Sequence, residues 1–288
     1  MAIDKAKLRA AIEAINDLPA LPTVVTKIIA QINNPSTNAA DVGKLIEQDQ
    51  SLTGRVLRLV NSAYYGFPRQ IKTIQHAVVI LGFAKVRTVI LTTSVFGAFK
   101  NCRGERLDQA RFWQHSLGTA VGAKTAAEML GFSHAGEDAF VGGLLHDVGK
   151  MILDQFQPAL YGPIFKHAND NGLLIFDVEM SAMGLSHATV GGWLTEKWLL
   201  PPDLVRMVEG HHAPGKQGDR KEVIAAIHIG DILARAMGVG SGGDNRMPAF
   251  DPAVVAAFSL SEKFVNAAVE KYLVDIGKAR DFFALVEE

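Results

Sequence analysis

Apolar residues recur at helical spacing along nearly the whole chain, and no other feature limits the fold so strongly. Leu52, Val56, Leu57, Leu59 and Val60 form one such set, and Val205, Met207 and Val208 another; positions three and four apart share a helix face. Segments that alternate apolar and polar residues, as a half-buried strand would, are almost absent. Short breaks rich in proline, asparagine and glycine separate the periodic runs: LPALP at 18–22, NPSTN at 34–38, YGFP at 65–68 and LPP at 200–202. These read as connectors between helices, so the chain is predicted to be all-α. Two helix starts follow from short polar side chains that cap free backbone amides: Asn38 before AADVGKLIEQ and Thr73 before IQHAVVIL.

Two parts are expected, because single cores stop growing at roughly 250 to 300 residues. The polar run KNCRGERLDQ at 100–109 interrupts the helical pattern. The predicted division is an N-terminal helical array, residues 1–104, and a second helical part, residues 105–288, closed by a C-terminal helical cap. A glycine-rich segment, GVGSGGDNRMP at 238–248, lacks the lysine-threonine ending of a phosphate-binding loop and follows no strand. It reads as a mobile connector.

Composition removes several function classes. With 48% hydrophobic and 20% charged residues the chain can bury a core, which excludes global disorder. A net charge of −1 gives no field that would attract a polyanion, so nucleic acid is not an expected partner. The one cysteine, Cys102, excludes an internal disulfide and a cysteine-based zinc cluster, and fits a cytoplasmic protein. Asp4, Lys5, Lys7 and Arg9 stand where a signal peptide would be apolar. Lys85 and Arg87 break the most apolar stretch, residues 77–99, near its centre. That stretch is expected to form buried helices, with the two basic side chains on a solvated edge and no membrane involved.

The chemistry concentrates in seven residues: His115, His146, Asp147, His187, His211, His212 and Asp231. Of nine histidines in the chain, five belong to this series, and two pairs of ligand-type residues are adjacent. Read alone, His115 is a partly buried histidine and Asp231 a polar residue on a helix face. Their joint order and type point to a divalent metal centre, with two ions. Imidazoles mixed with carboxylates and no thiolate suit iron, manganese or zinc, and sequence does not choose among them. In GLLHDVGK at 143–150, His146 and Asp147 on one helix would point about 100° apart, so Asp147 can bridge. Lys150, one turn further on, is expected to face an anionic substrate. His228 is a candidate partner of the ligands, whereas His76, His134 and His167 are expected to be structural or surface residues. Phe112, Trp113, Trp193 and Trp198 are expected to pack in the core.

The second half resembles the HD superfamily, whose H…HD…D pattern stands here as His115, His146 with Asp147, and Asp231. The whole chain resembles the HDOD proteins (HD-related output domain) more closely, over about residues 15 to 237. The segments that carry this are LPALPTVVTKII, LIEQDQSLTGRVLRLVNSAYYGFPRQIKTIQHAVVILG, GLLHDVGK, LSHATVGGWLTEKWLLP and GHH. The resemblance implies an HDOD fold, an N-terminal array packed on an HD-type domain. It further implies one metal held by His115, His146 and Asp231, another by His187, His211 and His212, with Asp147 between them. Asp49 and Gln50 replace the family's Asp-Pro, a change expected to matter only for the rigidity of a helix start. The related HD-GYP cyclic di-GMP phosphodiesterases follow the histidine doublet with a glutamate and a GYP loop, where this chain has APGKQGD at 213–219.

The family comparison therefore implies a bacterial, cytoplasmic signalling protein that works through contacts with other signalling proteins, with bound metal and without catalysis. The alternative is a metal-dependent phosphohydrolase acting on a phosphoester or cyclic nucleotide, with Asp147 and Lys150 in catalytic roles. Lys150 would then stabilise charge on the phosphoryl oxygens.

Overall fold

A computed structural model describes residues 4–102, 104–216, 218 and 220–284 of the chain. Arg103 of the predicted junction, Gln217 and Asp219 of the segment after the doublet, and the expected last helix beyond Ala284 lie outside the described residues. Among the described residues every regular element is helical. The first part contains α1 (Lys5–Glu13), α2 (Thr23–Ile32), α3 (Ala39–Ile46), α4 (Gln50–Val60) and α5 (Ile74–Phe99). The second begins with α6 (Gln109–Met129), α7 (Gly136–Leu145), α8 (Val148–Phe156), α9 (Pro158–Asn171) and α10 (Ile175–Met183). It continues through α11 (His187–Lys197), α12 (Pro202–Gly210) and α13 (Lys221–Ala236) to α14 (Pro252–Phe258), α15 (Glu262–Lys278) and α16 (Arg280–Ala284).

Local chemistry sets the helix starts. Asn38 and Asp41 form a reciprocal capping box on α3, and Thr73 accepts from the His76 amide at the start of α5. Asp49 accepts from the Leu52 amide (2.9 Å), which leaves Gln50 in the first helical position. Proline is favoured there because its amide has no helical partner to lose, so glutamine in its place keeps the cap. Leu52, Val56, Leu59 and Val60 of α4 are buried against the core, as their spacing requires.

α5 carries the one helix, among the described residues, long and apolar enough to cross a membrane, and most of it is buried in the fold. Gly82 breaks it with φ 79° and ψ 165°, a left-handed backbone that other residues adopt only under strain. Neither piece then reaches the ~20 residues of a membrane span. Arg87 is not on a solvated edge: it forms an ion pair with Asp138 of α7, tying α5 to α7.

The buried apolar residues form one continuous core from Leu8 to Phe282. Phe112, Trp113, Trp193 and Trp198 all belong to it, and the Trp198 indole donates to the Pro19 carbonyl (2.8 Å). Phe282 of α16 is fully buried, with its ring centroid 5.2 Å from Tyr64, 6.2 Å from Tyr65 and 5.6 Å from Phe140. Tyr64 and Tyr65 come from the NSAYYG segment and Phe140 from α7, so one aromatic cluster joins the segment after α4 to α7 and α16.

Two backbone contacts position the functional centre. α6 crosses α13 where a Cβ on Gly122 would lie 2.9 Å from the Gly230 Cα, and one on Gly230 would lie 2.4 Å from the Ala123 nitrogen. Only glycine permits that approach, and it brings His115 of α6 against Asp231 of α13. Gly149 does the same for α8 and α11, since a Cβ there would come within 2.0 Å of the His187 carbonyl oxygen.

Candidate metal centre

All seven predicted donors converge. His115 lies on α6 and Asp231 on α13; His187 is the first residue of α11; His211 and His212 follow the end of α12. His146 and Asp147 do not share a helix. They form the turn between α7 and α8, where Asp147 adopts φ −98° and ψ 0°. The turn aims the Asp147 carboxylate back into the centre while Gly149 lets α11 close on it.

The donors form two groups. His115, His146 and Asp231 make the first; Asp147, His187, His211 and His212 make the second, with the donor atoms of each group within 4.8 Å of one another. Asp147 faces both. Its Oδ2 lies 3.3 Å from His146 Nε2 and 3.6 Å from His115 Nε2, and its Oδ1 lies 3.0 Å from His187 Nε2 and 3.8 Å from His211 Nε2. Asp231 Oδ1 approaches His115 Nε2 at 3.1 Å, and His212 Nε2 lies 2.9 Å from His187 Nε2.

The ring orientations suit a cation. His146 Nδ1–H donates to the Gly143 carbonyl and His211 Nδ1–H to the Val208 carbonyl, each at 2.7 Å. A carbonyl can only accept, so both rings carry their proton on Nδ1 and turn an Nε2 lone pair inward. Nε2 of His115, His146 and His211 are buried and have no hydrogen-bond partner among the described residues. Such orphaned acceptors are costly, and a divalent ion would satisfy them. The donor set therefore fits a metal.

Charge reinforces this. Burial alone would raise Asp147, but His146, Lys150 and His187 outweigh it and hold the carboxyl well below its usual range. For Asp231, burial is outweighed chiefly by the Arg235 guanidinium, with the same result. Burial pushes His115 down, and it pushes His211 well down with help from His146 and His187. His187 differs: burial lowers it, yet Glu179 and Asp147 bring it above its ordinary value.

Three expectations need correction. Lys150 does not face an open substrate site; it is buried and donates to Asp147 Oδ2 (2.8 Å) and to the Gly242 carbonyl (2.9 Å). Residues 238–248 are not a loose connector. The Ser241 amide donates to the Arg111 carbonyl (2.9 Å), and Asp244 accepts from Arg235 Nη1 (2.7 Å). A Cβ on Gly242 would stand 3.2 Å from both Asp147 Oδ2 and His115 Nε2, so this strap lies directly on the first group. His228 does not hold a donor side chain: its Nδ1–H reaches the His211 carbonyl (3.2 Å), and its Nε2 accepts from the Asp251 amide.

Sequence reasoning missed the groups that support the donors. Arg235 donates to Asp231 Oδ1 (2.9 Å) and thereby joins the first group to the strap. Glu179 is fully buried and accepts from the His187 ring, and the Phe176 ring lies 4.1 Å from that of His212. An acid in the apolar run IFDVEMSAM was a usable signal for Glu179. Arg235 stands one helical turn after Asp231, the i,i+4 spacing at which an acid and an arginine pair, and that spacing was its usable signal.

The HDOD domain model matches residues 18–214. The chain belongs to the HDOD domain family. A crystal structure of an HDOD domain protein of unknown function from Geobacter sulfurreducens is similar at 25% identity, with TM-score 0.74 and 99% of each chain covered. A candidate phosphohydrolase from Shewanella amazonensis SB2B shares the fold at 23% identity and TM-score 0.74, covering 96% of this chain and 98% of its own. An uncharacterized protein of Treponema pallidum (strain Nichols) is 26% identical over 233 residues, which are 80% of this chain and 44% of that protein. This chain therefore spans less than half the length of that curated relative. Within this HDOD protein, Asp231, Arg235 and the strap lie beyond the matched segment.

Proposed function

We propose that this HDOD protein is a cytoplasmic signalling module that acts through contacts with other proteins and holds divalent metal as a structural or regulatory element. The observation that carries this reading is the closure of the centre. Six of the seven donor side chains are at most 2% exposed, and only His212 is half-buried. Among the described residues, the strap occupies the groups that would handle a phosphoester: the Gly242 carbonyl accepts from Lys150, and Arg235 is bonded to Asp231 and Asp244. A catalytic site must admit its substrate to the reacting atoms.

A second reading, a metal-dependent phosphohydrolase acting on a phosphoester or cyclic nucleotide, is favoured by the completeness of the donor set. An ion held by these residues would supply Lewis-acid polarisation of a phosphoryl oxygen. For that chemistry Lys150 would have to release the Gly242 carbonyl and turn its ammonium to the phosphoryl group. The strap would have to leave with it.

Elemental analysis of the purified protein and of His211→Ala tests the common part: bound metal is expected in the wild type and reduced in the variant. Protein without metal after reconstitution with iron, manganese and zinc overturns both readings. A panel of phosphomonoesters, phosphodiesters and cyclic dinucleotides separates them. No turnover is expected; turnover that Asp147→Ala abolishes would replace the signalling reading with the hydrolase.

A further inference from the structure

Among the described residues, His187 is the one donor whose Nδ1 faces a carboxylate. Glu179 of α10 is 0% exposed, and its Oε2 accepts twice from the same residue: from the His187 backbone amide at 2.8 Å and from the ring Nδ1–H at 2.6 Å. Its Oε1 accepts from the Tyr161 hydroxyl at 3.0 Å. Burial, and then the charge of Glu179, push Tyr161 well above its ordinary range, so the phenol stays a donor. Every bond the structure records to Glu179 is donated to it.

That arrangement does three things to His187. The amide contact fixes the first turn of α11, where the ring is mounted. The Nδ1 contact fixes the tautomer, so Nε2 is the atom presented to Asp147 Oδ1 and His212 Nε2. A carboxylate also gives a shorter, charge-assisted bond than a carbonyl does, which makes the imidazole the more electron-rich donor. His146 and His211 have only carbonyls behind them. The same helix carries Phe176, whose ring lies 4.1 Å from His212 at an interplanar angle of 32°, so α10 backs two donors of the second group while contributing none.

We infer that Glu179 is a positioning residue for the second donor group, locking the His187 ring with Nε2 inward and strengthening it as a ligand for a divalent cation. The inference rests on the reading of that group as a metal site. Its role is indirect: Glu179 acts through His187, with Tyr161 holding its far oxygen. A carboxylate that orients a ligating histidine typically contributes about ten- to a hundredfold in metal affinity.

Glu179→Gln is the discriminating variant, since it preserves shape and leaves an oxygen facing Nδ1 while removing the charge. Zn(II) affinity, measured on the full chain by competition with a chromophoric chelator, is expected to fall about tenfold in Glu179→Gln and about a hundredfold in Glu179→Ala. Tyr161→Phe should fall less than Glu179→Gln, because the carboxylate and its contact with His187 remain. A second readout needs no metal. In the metal-free protein, the His187 Nδ1 proton is expected far downfield in the NMR spectrum and should move upfield in Glu179→Gln. Wild-type Zn(II) affinity in Glu179→Gln overturns the proposal, as does an unmoved Nδ1 proton. If the wild type takes up no Zn(II), the metal reading falls instead, and the proton signal alone decides whether Glu179 holds the ring.

Discussion

The two donor groups share Asp147 and differ in almost everything else. The first, His115, His146 and Asp231, sits beside two internal cations: Lys150 on Asp147 and Arg235 on Asp231. It is also covered by the strap. The second, His187, His211 and His212, has no lysine or arginine bonded to its histidines among the described residues, a carboxylate behind one ring and an aromatic ring against another. A cation entering the first group must compete with Arg235 and Lys150 already bonded to its carboxylates; one entering the second meets inward-facing imidazoles and feels Lys150 only across Asp147. The second group is therefore expected to take metal more tightly, and the first to serve chiefly as a latch that fastens the strap.

The largest effect expected from that asymmetry is at Arg235. Arg235→Met leaves Asp231 and Asp244 buried without their cation and should destabilise the metal-free protein by about 3 to 5 kcal/mol, measured by urea unfolding. Zn(II) at a hundred times its dissociation constant should restore about 2.7 kcal/mol. A loss under about 1 kcal/mol would break the idea that the first group is held by its own countercharge. Next in size, His211→Ala should weaken the tightest Zn(II) site by more than about a hundredfold, some 2.7 kcal/mol, whereas His115→Ala should change it less than tenfold. The reverse order would exchange the roles of the two groups.

Acid sharpens the comparison further. His115, His211, His212 and His228 are all held below the ordinary histidine value, so each binds a proton more readily in the unfolded chain. Stability should therefore fall as pH drops below about 6.5. His187, raised instead, works the other way: its contribution is fully present below that value and is lost as pH rises through its folded pKa. With four groups against one, the unfolding free energy of the chelator-treated protein should fall from pH 7 to pH 5, by at most about 1.4 kcal/mol per pH unit for each net proton, and its melting temperature should fall with it. A rise would show that His187 dominates. The smallest effect is expected from Gly242→Ala, whose added Cβ would lie 2.9 Å from Arg235 Nη2; a destabilisation of about 1 kcal/mol should appear with faster amide exchange confined to residues 238–248.

What could be read from sequence was whatever is decided locally or by residue type. Leu52, Val56, Leu59 and Val60 announced their face because helical period is a local property, and Asn38 and Thr73 announced their caps for the same reason. The convergence of the seven candidate donors was legible because so many histidines and aspartates in this order suggest a common site. The strap was misread because its composition is that of a flexible loop, and two of its anchors, Lys150 and the Arg111 carbonyl, are distant in sequence. The break at Gly82 was likewise hidden in an apolar run. The turn at His146 and Asp147 looked helical because both flanks are helical, and only the approach of α11 onto Gly149 requires it.

The crossing of α6 and α13 carries a last consequence. His115 and Asp231 are spaced by backbone touching backbone at Gly122 and Gly230, not by the bulk of intervening side chains. Their separation is thus a gauge built into the main chain. Interchange of leucine, isoleucine and valine elsewhere in the core leaves the gauge unaltered, whereas one methyl group at either glycine resets it. Substitutions that leave both glycines in place leave the main-chain approach that sets the candidate donors apart.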